Sequence, residues 1–265
     1  MLSLGLGLGL LGCADEATPE PSPPAGTLAS ATPGRLAPAE LRATAIARHD
    51  AAIARLADER ERLAVRYGEA ATPGAQAEIR AEARRLLEQA IVDELFPAWL
   101  GMPWGMASNS TATRPHEPGK TVGCSYFVTS VLLSAGVELE NRFTFAQAPA
   151  IFIQRSLAPA KDDLHRYFSI PAAQLRDRIA ALGDGLYVIG LDTHVGFVVV
   201  RGDQVQLVHA SYTGDRVVTD EPLLDAAAID NSRPEGYFVT PLFQDGRLVD
   251  LWLRGQPVPF QRLGA

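Results

Sequence analysis

Cysteine is nearly absent: the 265 residues include two, Cys13 and Cys124. Two thiols cannot build a disulfide framework, so neither is explained as the staple of a small core. An excess of basic charge is missing as well. Lys and Arg number 24 against 31 Asp and Glu, a net charge of -7, and no basic block interrupts the balance. That argues against nucleic acid as the main partner. Long apolar runs are lacking: the N-terminal MLSLGLGLGLLG is too short to cross a bilayer as a helix. No internal repeat stands out. What remains is a chain that is 47% hydrophobic, enough for one packed domain of up to about 200 residues with an appendage.

The apolar start ends at Leu10-Leu11-Gly12-Cys13, which resembles the lipobox of bacterial lipoproteins. The resemblance implies a signal peptide over residues 1–12 and a lipid anchor on Cys13, with the rest of the chain on the periplasmic or outer face of the cell envelope. An ordinary secretory signal is the plainer alternative. Residues 13–38 are rich in Pro, Ala, Thr, Ser and Gly without hydrophobic periodicity, and read as a disordered tether.

From Pro38 to Tyr67 the residues Ile46, His49, Ile53, Leu56 and Leu63 recur at helical spacing. A turn around Gly68 to Gly74 leads to a second helix with Ile79, Ala83, Leu86, Leu87 and Ala90 on one side, expected to end near Phe96-Pro97. Residues 39–96 thus predict an αα-hairpin. His49, on the apolar face, reads as a core histidine, since no second ligand accompanies it. After a polar loop, Val122 to Ala135 is apolar nearly all round, the pattern of a buried helix closed by Gly136. A short helix is expected over Ala172 to Leu182.

Strands follow: Leu186 to Ile189, His194 to Val200 and Val205 to His209, with Gly202-Asp203 as a hairpin turn. Tyr237 to Val239 and Leu248 to Trp252 are candidates to extend the sheet. Helices first and antiparallel strands afterwards predict an α+β fold.

Cys124 stands at the start of the buried helix. Unpaired backbone N–H groups and the positive end of the helix dipole meet there, which favours a thiolate and can hold an oxyanion. A thiol nucleophile needs a base, and in a hairpin turning at Gly202-Asp203 residues whose numbers sum to about 403 to 405 face each other, which brings His194 and His209 close. One imidazole can take the thiol proton while the other orients it. An inert buried thiol is the alternative for Cys124. Ser125 and Ser130 offer hydroxyls without independent support, Asp192 reads as a turn residue, and a zinc site from Cys124, His194 and His209 is possible by ligand type but lacks close-spaced ligand pairs.

Gly123-Cys124-Ser125-Tyr126-Phe127-Val128, then His194-Val195-Gly196, then Val208-His209-Ala210-Ser211, resemble the NlpC-type cell-wall endopeptidases, a group of papain-like cysteine peptidases. Leu100 to Gly105 looks like a variant of a further segment of that family, and Gly136-Val137, Asn141-Arg142, Gln147 and Gly183-Asp184 are similar too. The likeness covers about Leu95 to Tyr212 and leaves the hairpin outside. It implies a hydrolase domain over residues 97–265 with a central antiparallel sheet packed on the nucleophile helix. Cys124 would be the nucleophile, His194 the base and acid, and His209 the orienting member. Trp104, Ser125 and Tyr126 would contact substrate. No cofactor or metal is implied, and the partner is peptidoglycan or another peptide. Gly123 replaces the family's Asp and Tyr126 its Gly, and the loop before Cys124 is longer, which implies a binding cleft of different shape. A non-catalytic envelope-binding lipoprotein, or a thiol acyltransferase or deamidase, are the other readings of the same residues.

Overall fold

A computed structural model describes residues 38–158, 163–233 and 236–261. The expected signal segment, Cys13 with its expected lipid anchor, and nearly all of the expected tether lie outside the described residues. The fold is α+β, with a six-stranded antiparallel sheet and helices on both faces.

Two helices, α1 (Pro38–Glu69) and α2 (Pro73–Ala90), form the hairpin. Thr72 caps α2 by accepting from the Ala75 N–H at 3.2 Å, and Pro73 occupies the first turn, where its missing N–H costs nothing. The helical path does not stop at Phe96-Pro97 as the sequence suggests. It runs through a π turn, Ile91–Leu95, into α3 (Phe96–Trp99). Pro97 falls in the first turn of α3, directly after the widened turn, a position where proline is tolerated.

The next helix, α4 (Cys124–Ser134), carries seven buried residues among its eleven. Burying side chains such as Phe127, Val128, Val131 and Leu132 stabilises by about 1.5–3 kcal/mol each, so α4 is held by packing more than by propensity. Gly136 follows it with φ of 79°, and its N–H bonds the Leu133 carbonyl. Helices α5 (Arg142–Gln147) and α6 (Ala150–Leu157) lead to strand β1 (His165–Tyr167) and helix α7 (Ala172–Ala180). Strands β2 (Gly185–Gly190), β3 (Val195–Arg201), β4 (Gln204–Ala210) and β5 (Val218–Pro222) follow, then α8 (Ala227–Ser232), β6 (Tyr237–Pro241) and α9 (Arg247–Arg254).

The sheet order is β1-β6-β2-β3-β4-β5. One face packs on α1, α2 and α4 through Val188, Phe197 and Val208, and the other on α7 and α8 through Val198, Leu207 and Val239. The alternation of these positions along each strand is what a sheet buried on both sides requires. The hairpin is continuous with this core: His49 Nε2 lies 2.9 Å from Ser134 Oγ, tying α1 to the end of α4, and Leu56, Leu63 and Leu87 join the same buried cluster.

One further sequence expectation needs correction. Leu248 to Trp252 does not extend the sheet; it belongs to α9, where Leu248, Val249, Trp252 and Leu253 are buried at helical spacing and Trp252 Nε1–H donates to the Ala135 carbonyl at 2.8 Å. Glycines with positive φ, Gly246 and Gly255, bracket this helix. The β3/β4 register pairs Phe197 with Val208 and Val198 with Leu207, so Gly196, and not His194, stands opposite His209. The two histidines are diagonal neighbours, within reach of large side chains.

Candidate functional site

Cys124 opens α4 behind Gly123, whose backbone is extended and which offers no side-chain cap. The first intrahelical bond runs from Phe127 N–H to the Gly123 carbonyl at 2.8 Å, so the N–H groups of the first turn before it point outward without helical partners. The thiol is half-buried and free. Its flank is built by the segment Gly101 to Gly105, which is stitched on both sides. Trp104 N–H donates to Arg216 O at 2.8 Å, Val122 N–H to Pro103 O at 2.9 Å, and Gly105 N–H to Val122 O at 3.3 Å. Gly105 is required there: a Cβ would fall 2.4 Å from Thr121 Oγ1 and 2.6 Å from Ser110 Oγ. The stitching presents Trp104 beside the start of α4.

His194 sits in the tight connection from β2 to β3, where Leu191 N–H bonds the His194 carbonyl at 2.8 Å. It is buried, with Nε2 2.6 Å from Nδ1 of His209 on β4. Gly196 makes the approach possible, since a Cβ at that position would lie 2.8 Å from the His209 Cβ. On its far side, His209 Nε2 is 2.9 Å from Glu221 Oε1 on β5.

The chain of contacts dictates the protons. A carboxylate only accepts, so His209 Nε2 carries hydrogen and donates to Glu221; neutral His209 then accepts through Nδ1 from His194 Nε2–H. Nδ1 of His194 is left as the bare, basic nitrogen. Burial pushes the pKa of both rings down; at His194 the nearby His209 adds to the effect, while at His209 the Glu221 carboxylate opposes it. The resting pair is therefore neutral at pH 7, and Nδ1 of His194 carries no proton.

A cleft of about 430 Å³ joins the pieces. Cys124 and His194 both line it, together with Trp104, Ser125 and Tyr126, and with Tyr212, which the sequence reading did not single out. Tyr212 packs edge-on to His194, with ring centroids 5.2 Å apart, and lies 6.3 Å from Trp104. Tyr126 is held from behind: the Arg142 guanidinium lies 5.2 Å from its ring centre, and Gln147 Nε2 donates to its hydroxyl at 3.2 Å. Arg142 is itself fixed by the carbonyls of Thr111 and Ala112 and by Ser130 Oγ.

His209 does not line the cleft; it reaches it through His194. Ser130 is buried and spent on Ala112 O and Arg142, so it is no nucleophile. Asp192 is exposed, and its backbone N–H bonds Ser232 Oγ at 2.7 Å. Among the described residues no group of three or more His, Cys, Asp or Glu is arranged to hold a metal ion, and no helix is long and apolar enough to cross a membrane.

Glu221 was not legible in the sequence. Val-Thr-Asp-Glu-Pro reads as a polar connection, and only the pairing of Leu207 with Glu221 and His209 with Thr219 shows that it is a strand bringing a carboxylate beside His209. No protein-family model matches the chain, and comparison with curated proteins and with solved structures returned no match.

Proposed function

We propose that the chain is a cysteine hydrolase of papain-like, NlpC-type architecture that cleaves an amide bond through a thioacyl intermediate. The observation that carries the reading is the hydrogen-bonded series Glu221–His209–His194, which ends in a cleft shared with Cys124. An imidazole with one nitrogen committed to a buried partner and the other unspent, in a cleft that a thiol also lines, is what a general base needs.

In the proposed reaction His194 Nδ1 takes the Cys124 proton as sulfur attacks the carbonyl. Backbone N–H groups at the start of α4 receive the oxyanion. His194 returns the proton to the departing amine, leaving a thioester, and then activates water, whose attack releases the acid and restores the thiol. His209 holds His194 in the tautomer that makes this possible, and Glu221 does the same for His209. Because the pKa of His194 is lowered, the acid limb of the rate profile falls below pH 6.5 and not at it.

A stem peptide of peptidoglycan is the substrate that the resemblance implies, reached from an envelope anchored through Cys13. Incubation of purified muropeptides with the protein and with Cys124→Ala tests the proposal. New peptide termini are expected with the first and none with the second; equal cleavage by both contradicts it.

A further inference from the structure

The cleft beside Cys124 holds no charge. Of the residues that line it none is Asp, Glu, Lys or Arg; the walls are Trp104, Tyr126 and Tyr212, with Met106, Ala107 and Ala146 between them. Two cations stand against the aromatic walls. Arg142 lies behind the Tyr126 ring, where its Nη2 donates to two carbonyls and a hydroxyl, while Arg216 lies 4.6 Å from the Trp104 ring centre; neither lines the cleft. Apolar surface also continues past the mouth. Met106 is 86% exposed on the lip, and Phe143, 55% exposed, stands edge-on to Tyr126 at 6.4 Å. Exposed large apolar side chains grouped at a cleft mark a surface that something apolar covers.

We infer that the acyl group held against Cys124 is an uncharged, apolar chain, and that acyl donors whose chain carries a carboxylate are rejected. The inference rests on the cysteine-hydrolase reading and narrows its substrate, within a stem peptide to bonds on the carboxyl side of an alanine and not of a residue that carries a carboxylate. A carboxylate entering this cleft leaves water and finds no counter-charge, whereas methylene groups gain by leaving water. A sugar ring is a poorer occupant despite the aromatic walls. The lining lacks the planar amide, carboxylate and guanidinium groups that bind hydroxyls; besides the tyrosines its hydroxyls are those of Ser110, Ser125 and Thr193, and Ser110 Oγ is already bonded to Thr121 Oγ1 at 2.8 Å. The step balances without a further reagent: the acyl–oxygen or acyl–nitrogen bond breaks as the acyl–sulfur bond forms, the thiol proton leaves with the alcohol or amine, and water then converts the thioester to free acid and thiol.

The test uses two esters of equal chain length, nitrophenyl octanoate and mono-nitrophenyl suberate, which differ by one terminal carboxylate. Acylation of Cys124 is read by intact mass and kcat/KM by nitrophenol release, with Cys124→Ala as the blank. A preference for octanoate of about 30-fold is expected from the cost of desolvating one unpaired carboxylate. Met106→Lys, on a side chain that folding does not need, should narrow that preference to a few-fold by giving the carboxylate a partner. Equal rates for the two esters in the native protein, or a preference unchanged in Met106→Lys, overturn the inference and leave the hydrolase reading standing. Competition by soluble glycan strands free of peptide also overturns it, by assigning the aromatic walls to sugar. If neither ester acylates Cys124, the hydrolase reading itself fails.

Discussion

The two ends of α4 each meet a buried histidine, and they meet it differently. At the C-terminal end His49 of α1 bonds Ser134 Oγ with one nitrogen and approaches Asp50 with the other, at 2.9 and 3.2 Å, against the edge of Trp99. At the N-terminal end His194 bonds His209 with one nitrogen and lines an open cleft with Cys124. Burial lowers the pKa at both ends. A buried histidine with a displaced pKa is therefore no mark of function by itself. What separates the ends is whether the second nitrogen is spent, and whether the ring borders a cavity that a free thiol also lines.

The comparison can be broken most directly at His194. His194→Ala should slow acylation of Cys124 by about a thousandfold, within the range that a general base contributes, while leaving the fold in place. His49→Ala should do the reverse. Loss of the buried ring and of its bond to Ser134 should cost about 2–4 kcal/mol in a denaturant titration, with the acylation rate per folded molecule unchanged. If His49→Ala slows acylation as much as His194→Ala does, the distinction between the ends collapses.

Smaller effects sharpen the same contrast. Glu221→Gln keeps the shape but weakens the pull on His209 Nε2–H, and should lower kcat about tenfold with little change in KM; a purely structural role would move stability and leave kcat alone. The pH dependence of stability should feel both ends alike. His49, His194 and His209 have folded pKa values below the unfolded value of about 6.5, so under that pH the unfolded chain binds protons that the folded chain does not. Stability should therefore fall as pH drops below 6.5, by up to about 1.4 kcal/mol per pH unit for each histidine that stays neutral in the fold. His49→Gln should remove its own share of that slope in urea titrations across pH 5 to 7 and leave the share of His194 and His209.

Much of this arrangement could be read from residues alone, because periodicity and turn chemistry are local. The hairpin, the buried α4 and strands β2, β3 and β4 follow from spacing, from Gly136 and from Gly202-Asp203. What escaped depended on pairing in space. Leu248 to Trp252 has too few residues for period alone to separate a strand from a helix, and its burial beside α4 decides it. The Glu221 carboxylate is an ordinary polar residue in sequence; it matters only because β5 docks on β4 two positions from the partner of His209. Tyr212 and the charge-free lining of the cleft were invisible for the same reason. The sequence order of Cys124, His194 and His209 announced a site, but which nitrogen stays bare follows only from the hydrogen bonds.

The account stands on Cys124 being activated by His194, and the rate of its alkylation tests this most directly. Iodoacetamide modification of Cys124 at pH 7, followed by mass spectrometry of the peptide that contains it, should run about tenfold faster than that of free cysteine and should lose the advantage in His194→Ala. A rate at or below that of free cysteine, unchanged by His194→Ala, would show that the thiol is an inert lining residue and would contradict the account.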